Sequence, residues 1–199
     1  MKSLLIVLMF SFIEFLGFGQ VELRLPAIEA TPEPHKAPIG WSVWQESPDV
    51  ISGNGAWPGG GYTIEDVDGK NVAGFSMGLF LANEGGIQEG WTTTFNNLTI
   101  GEKYSVTLKW QQATLTNHSS ITYSGGNLYM AVDDKEKIFT SVSGIEDEWQ
   151  TATFVFTAKA ESVVLKIKVS EPKNGPIGDY GSAIVVDNSG YQLAAPLVR

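Results

Sequence analysis

The sequence predicts an all-β protein built as a two-sheet antiparallel β-sandwich, and three observations carry that prediction. From Gly60 to the end of the chain, apolar residues recur at every second position in short runs, the periodicity of strands with one buried face. Gly, Asn and Asp punctuate these runs at Asp68-Gly69, Gly85-Gly86, Gly101, Ser124-Gly125-Gly126 and Asn174-Gly175, as turns require. No window carries a 3.6-residue apolar stripe with caps at both ends, so little helix is expected.

At the start of the chain, Met1, Lys2 and Ser3 precede an apolar run over residues 4–13, which is followed by Glu14, Phe15, Leu16 and the triplet Gly17-Phe18-Gly19. One positive charge, a short apolar core and small residues before Gln20 predict a cleaved secretory signal over 1–19 and a sandwich domain over 20–199. A membrane anchor needs about 20 predominantly apolar residues, whereas this stretch is shorter and broken by Glu14. No Cys follows it, which excludes a lipoprotein anchor, and no transmembrane segment is expected after cleavage. In the next segment Leu23, Leu25 and Ile28 alternate with polar residues ahead of the prolines of 26–38. That pattern favours an extended opening strand over a linker.

The clearest strand follows at Lys103–Gln112, where Tyr104, Val106, Leu108 and Trp110 share one face and Ser105, Thr107, Lys109 and Gln111 the other. One face is buried and one is wet. Residues 150–158 set Phe154 and Phe156 against Thr153, Val155 and Thr157, and residues 162–170 set Val163, Leu165, Ile167 and Val169 against Lys166 and Lys168. Further strands are predicted over 61–64, 72–81, 91–95, 128–133, 138–141 and 183–193. Many short strands without an internal repeat indicate a sandwich and not a propeller.

Composition narrows the function. The chain carries 13 basic and 22 acidic residues, a net charge of −9, and no run of Lys or Arg. A nucleic-acid partner is therefore excluded, since such binding draws most of its free energy from basic patches. With no Cys and only two His, His35 and His118, there is no disulfide, thiol nucleophile, Cys-ligated metal or all-His metal site. Glu146, Asp147 and Glu148 are neighbours on one predicted loop, and glycosidase chemistry needs two carboxyls about 5–10 Å apart on opposite sides of a bond. His118 lacks a nearby Ser or acidic partner and no G-x-S-x-G is present. The protein is expected not to be an enzyme.

Six Trp, six Tyr and ten Phe are the main chemical resource, because a flat aromatic face stacks on the apolar face of a sugar ring while its polar edge stays wet. Trp41, Trp91, Trp110 and Trp149 are expected in the core. Trp57 and Tyr62 flank Pro58-Gly59-Gly60-Gly61, and Tyr123 and Tyr180 stand in Gly-rich loops. These four are the candidate ligand-binding residues, with core packing left open for each.

Several short motifs occur in one order: Ile28-Glu29, Pro38-Ile39-Gly40-Trp41, Ser47-Pro48-Asp49-Val50, Gly85-Gly86-Ile87-Gln88 and Leu98-Thr99-Ile100-Gly101-Glu102-Lys103-Tyr104-Ser105-Val106. Glu148-Trp149-Gln150-Thr151-Ala152-Thr153-Phe154-Val155-Phe156-Thr157-Ala158 and Ile184-Val185-Val186-Asp187-Asn188 complete the set. In order and spacing the chain resembles the galactose-binding-like jelly rolls of the carbohydrate-binding-module superfamily. Its signal segment, ending in Phe18-Gly19-Gln20, looks like those of secreted proteins of the Bacteroidetes. The resemblance implies a jelly-roll sandwich, a ligand site on the concave sheet or in the loops, and frequently a structural calcium ion. Glu29 and Asp187 match the positions where it places that ion, between the first and last strands. Taken alone, Asp187 also reads as the start of a turn and Glu29 as a solvated charge.

The expected function is noncatalytic glycan recognition by a secreted or cell-surface protein. The alternative is an extracellular structural or adhesive protein whose aromatics meet another protein. An acidic chain is expected to suit neutral sugars and to repel acidic polysaccharides.

Overall fold

The computed structural model describes residues 19–28, 31–52, 64, 77–84, 87–113, 115–116, 122–123, 125–140, 149–170 and 182–187. Within them the chain forms strands and no helix. They are β1 (Val21–Leu23), β2 (Ser42–Gln45), β3 (Asp49–Ser52), β4 (Met77–Glu84), β5 (Ile87–Gln88), β6 (Gly90–Phe95) and β7 (Lys103–Gln112). After these come β8 (Leu115–Thr116), β9 (Thr122–Tyr123), β10 (Asn127–Val132), β11 (Lys135–Phe139), β12 (Gln150–Thr157), β13 (Val163–Ser170) and β14 (Ser182–Asp187).

Strands that follow one another tend to alternate between two facing sheets. One sheet runs β12-β7-β14-β4-β3, with β1 along β7 and β5 beside β4, and the other runs β11-β10-β13-β6-β2. The order β4-β14-β7-β12 over β6-β13-β10-β11 is the double Greek-key wrap of a jelly roll. Among the described residues pairing is antiparallel except between β1 and β7, and β8 and β9 pair only with each other.

The core forms where the alternating faces meet. Tyr104, Val106 and Leu108 of β7 stand in register with Phe156, Phe154 and Ala152 of β12, and cross-strand partners share a face. All six are buried, and the Tyr104 and Phe154 rings each lie about 6 Å from Phe156. The Tyr104 hydroxyl accepts the Thr99 N–H at 2.9 Å, closing the loop before β7. From the other sheet Trp91, Leu128, Met130, Val163, Leu165 and Ile167 complete the core.

The opening segment packs onto this body. Leu25 and Ile28 are buried, and the Trp41 indole N–H donates to the Pro26 carbonyl at 3.1 Å. Gly40 has a φ of 80°, and a Cβ there would stand 2.8 Å from that of Pro26. Next, Glu33 and Val50 exchange two backbone hydrogen bonds.

Two sequence expectations shift. The strand expected over 138–141 is β11, which begins at Lys135 because Asp133 and Asp134 make a two-residue turn that puts Lys135 opposite Val132. Asp133 takes a φ of 51° in that turn. Lys135, Glu136 and Lys137 fall between the strands expected from sequence, yet charged side chains are what an exposed edge strand carries. The strand expected over 183–193 is described only as Ser182–Asp187. The expected signal segment lies outside the described residues up to 18, as do 61–63 and 72–76 of the expected strands.

The first and last described strands lie on one side of β7. β1 pairs with Tyr104–Val106 in parallel, and β14 pairs with Gln112 down to Lys109 in the opposite direction. Their C-terminal ends therefore approach each other across Thr107 and Leu108.

Candidate functional site

The outer face of the five-stranded sheet gathers the most distinctive chemistry among the described residues. One register row crosses it as Ile138, Tyr129, Lys168 and Gly90, from β11 to β6. The next row is Glu136, Ala131, Lys166, Thr92 and Ser42. The residues that alternate with them, Leu128, Met130, Leu165, Ile167 and Trp91, are buried in the core, so these rows look outward.

A β-bulge adds the last member. The register between β2 and β6 slips between Val43 and Gln45, and such an extra residue re-aims side chains. Trp44 comes to lie over Gly90: its Cε3 stands 2.7 Å from where a Cβ on that glycine would be. Only glycine leaves the room. The Lys166 and Lys168 ammonium groups are 5.1 Å and 5.7 Å from the centre of the Trp44 ring, and that of Lys168 is 4.7 Å from the Tyr129 ring. All fall within the reach of cation–π attraction. Trp44, Tyr129, Lys166 and Lys168 are each half-buried. The Tyr129 hydroxyl donates to Glu136 Oε2 at 2.7 Å. Burial, with the hydrogen bond and charge of Glu136, pushes its pKa up to about 12, so it stays a protonated donor at neutral pH. Trp44 lies over β6 and Tyr129 on β10, two strand spacings or roughly 10 Å apart. The face thus offers two aromatic rings, one ammonium group between them, a second beside Trp44, and one carboxylate held at its edge.

A second feature is a cleft of about 440 Å³ at the sheet edge, lined by Lys103, Asp133, Asp134, Lys135, Phe156 and Lys159 among others. Its Asp134 and Lys159 are already paired at 2.5 Å. Elsewhere, Asp49 at the start of β3 is buried and accepts the His35 N–H at 3.1 Å. Burial, opposed by that hydrogen bond and by His35 charge, raises its pKa to about 6.

Of the residues selected from sequence, Trp57, Tyr62, Tyr180 and Glu29 lie outside the described residues. Tyr123 pairs with Leu115 in β9, and Asp187 ends β14 opposite Lys109; their side chains are outside what is described. Among the described residues no group of three or more metal-binding side chains converges. Trp41, Trp91 and Trp110 are buried as expected, while Trp149 is half-buried. Sequence reasoning missed Trp44 and Tyr129. The alternation of Leu128, Met130 and Val132 does place Tyr129 on the wet face, as that of β13 places Lys166 and Lys168. What the alternation lacks is the register that sets them side by side.

No family model and no curated protein matches the chain. Among solved structures, TmCBM61 in complex with beta-1,4-galactotriose is similar at 13% identity with a TM-score of 0.39, over 75% of this chain and 86% of that one.

Proposed function

We propose that the protein is an exported, noncatalytic glycan-recognition module that reads its ligand on the outer face of the five-stranded sheet through Trp44 and Tyr129. The observation that carries this reading is the Trp44 indole held over Gly90, with Tyr129 two strands away on the same solvent-facing surface. Rings fixed on rigid strands bind with little loss of side-chain freedom. Their apolar faces and the neighbouring donors match the mixed apolar and hydroxyl surface of a sugar. Trp57, Tyr62 and Tyr180 are carried forward as candidates for loop contacts to the same ligand, and Tyr123 as a candidate contact from β9.

The competing reading is an adhesive protein surface, favoured by Ile138 and Val164, which are exposed on this same face. A glycan array probed with the native chain and with Trp44→Ala separates the two. The expected result is glycan binding that weakens at least about tenfold in the variant, the factor that corresponds to about 1.4 kcal/mol. Silence across all sugars, with a specific protein captured through Trp44, would replace the glycan reading with the adhesive one.

A further inference from the structure

We infer that this face selects a saccharide bearing carboxylate groups, a uronate-containing glycan, over a neutral one. The inference rests on the glycan reading above and adds the charge of the ligand. Lys166 and Lys168 are successive outward residues of one strand, roughly 7 Å apart along it. Among the described residues neither pairs with a carboxylate, whereas Lys36 and Lys159 are paired with Glu33 and Asp134. Glu136 is the acidic side chain of these rows, and one of its oxygens already receives the Tyr129 hydroxyl. The face therefore presents two cations and one engaged anion.

The rings beside the lysines strengthen the argument. Lys168 lies between Trp44 and Tyr129, and Lys166 beside Trp44, so the aromatic faces hold the ammonium groups near where a stacked sugar would lie. A ring attracts the charge without consuming the three N–H donors of the ammonium. A neutral sugar stacked here would displace water from both cations and return no charge. A glycan with two uronate residues returns a carboxylate to each, and hydrogen bonds between ionised groups are the stronger kind.

The net charge of −9 pointed to neutral sugars, but it sums over the whole surface. At physiological salt the Debye length is about 8 Å, so the groups of the face itself govern a ligand in contact with it.

The test is calorimetric titration of the full chain with a uronate oligosaccharide and with the same oligosaccharide after its carboxyls are reduced to alcohols. The uronate form is expected to bind about tenfold or more tightly. Its advantage should shrink as salt rises from about 0.01 M to about 0.1 M, where the Debye length falls from about 30 Å to about 10 Å. Lys166→Gln with Lys168→Gln should remove the preference, weakening the uronate form about tenfold more than the reduced form. The paired Arg substitutions should restore the preference, and Lys159→Gln at the remote cleft should leave it intact. Thermal melting of each variant checks folding. Equal affinity for both forms, or a preference that survives the double Gln variant, overturns the charge inference while glycan recognition stands. Absence of binding to either form, alongside an empty glycan array, removes both.

Discussion

Replacing Asp49 with Asn should stabilise the protein at neutral pH and not in acid. Asp49 is only 2% exposed, and burial raises its pKa from 3.8 to about 6 against the opposing pull of the His35 N–H and His35 charge. A group whose folded pKa lies above its unfolded one binds its proton more tightly in the folded state. Its stabilising contribution is complete below about pH 3.8 and is lost as pH rises through about 6. At about 1.4 kcal/mol per pKa unit, the shift corresponds to roughly 3 kcal/mol between those limits. Asn keeps the oxygen that accepts the His35 N–H but buries a new amide N–H, which costs about 1 kcal/mol. The variant should therefore gain about 2 kcal/mol near pH 7 and lose the advantage near pH 4. Urea unfolding of both proteins across that range measures it. Every other carboxylate titrates in both, so the difference curve isolates Asp49. Parallel curves for the two proteins from pH 4 to pH 7 would refute the reasoning.

Gly90→Ala should cost about 1–3 kcal/mol in a thermal melt and weaken glycan binding about as much as Trp44→Ala, since its Cβ would meet Trp44 Cε3 at 2.7 Å and the Ile167 carbonyl at 2.9 Å; unchanged binding would detach Trp44 from the site. Leu108→Lys places a charge at a fully buried core position and should abolish the cooperative melt; a folded variant near native stability would contradict the packing. If Glu29 and Asp187 help hold a structural calcium ion, a site of micromolar affinity adds about 4 kcal/mol at millimolar calcium. Melts in calcium and in chelator, for the native chain and Asp187→Ala, decide this; a native midpoint indifferent to chelator counts against the ion.

Local pattern made the long strands legible. β12 follows its alternation closely, because a strand buried on one face needs an apolar residue at every second position; β7 keeps its apolar face, but Ser105 and Gln111, expected on its wet face, are buried as well. The wrap of the two sheets was reached only through the family resemblance, since strand order depends on long-range pairing. β2 stayed hidden because Val43 and Trp44 are adjacent apolar residues at a bulge, which breaks the period of two. The candidate face was half legible. Tyr129, Lys166 and Lys168 could be assigned to wet faces one strand at a time, but their meeting with Trp44 depends on the register of β10, β13 and β6. It depends also on a glycine whose significance appears only when something lies above it. The loop aromatics drew attention because turns are easy to recognise, whereas an aromatic on a strand looks like core until its face is known.

The placement of β14 has a kinetic consequence. It is the last described strand in the chain, yet it inserts between β7 and β4, both formed from residues far upstream. Until it arrives, those two strands have no bridge between them and each leaves an edge open. Closing so long a loop is entropically expensive before any contact rewards it, which places such topologies among the slower folders, in milliseconds to seconds. Open edges during that interval invite pairing with other chains. Loss of residues 182–187 would leave that sheet split through its middle, between β7 and β4.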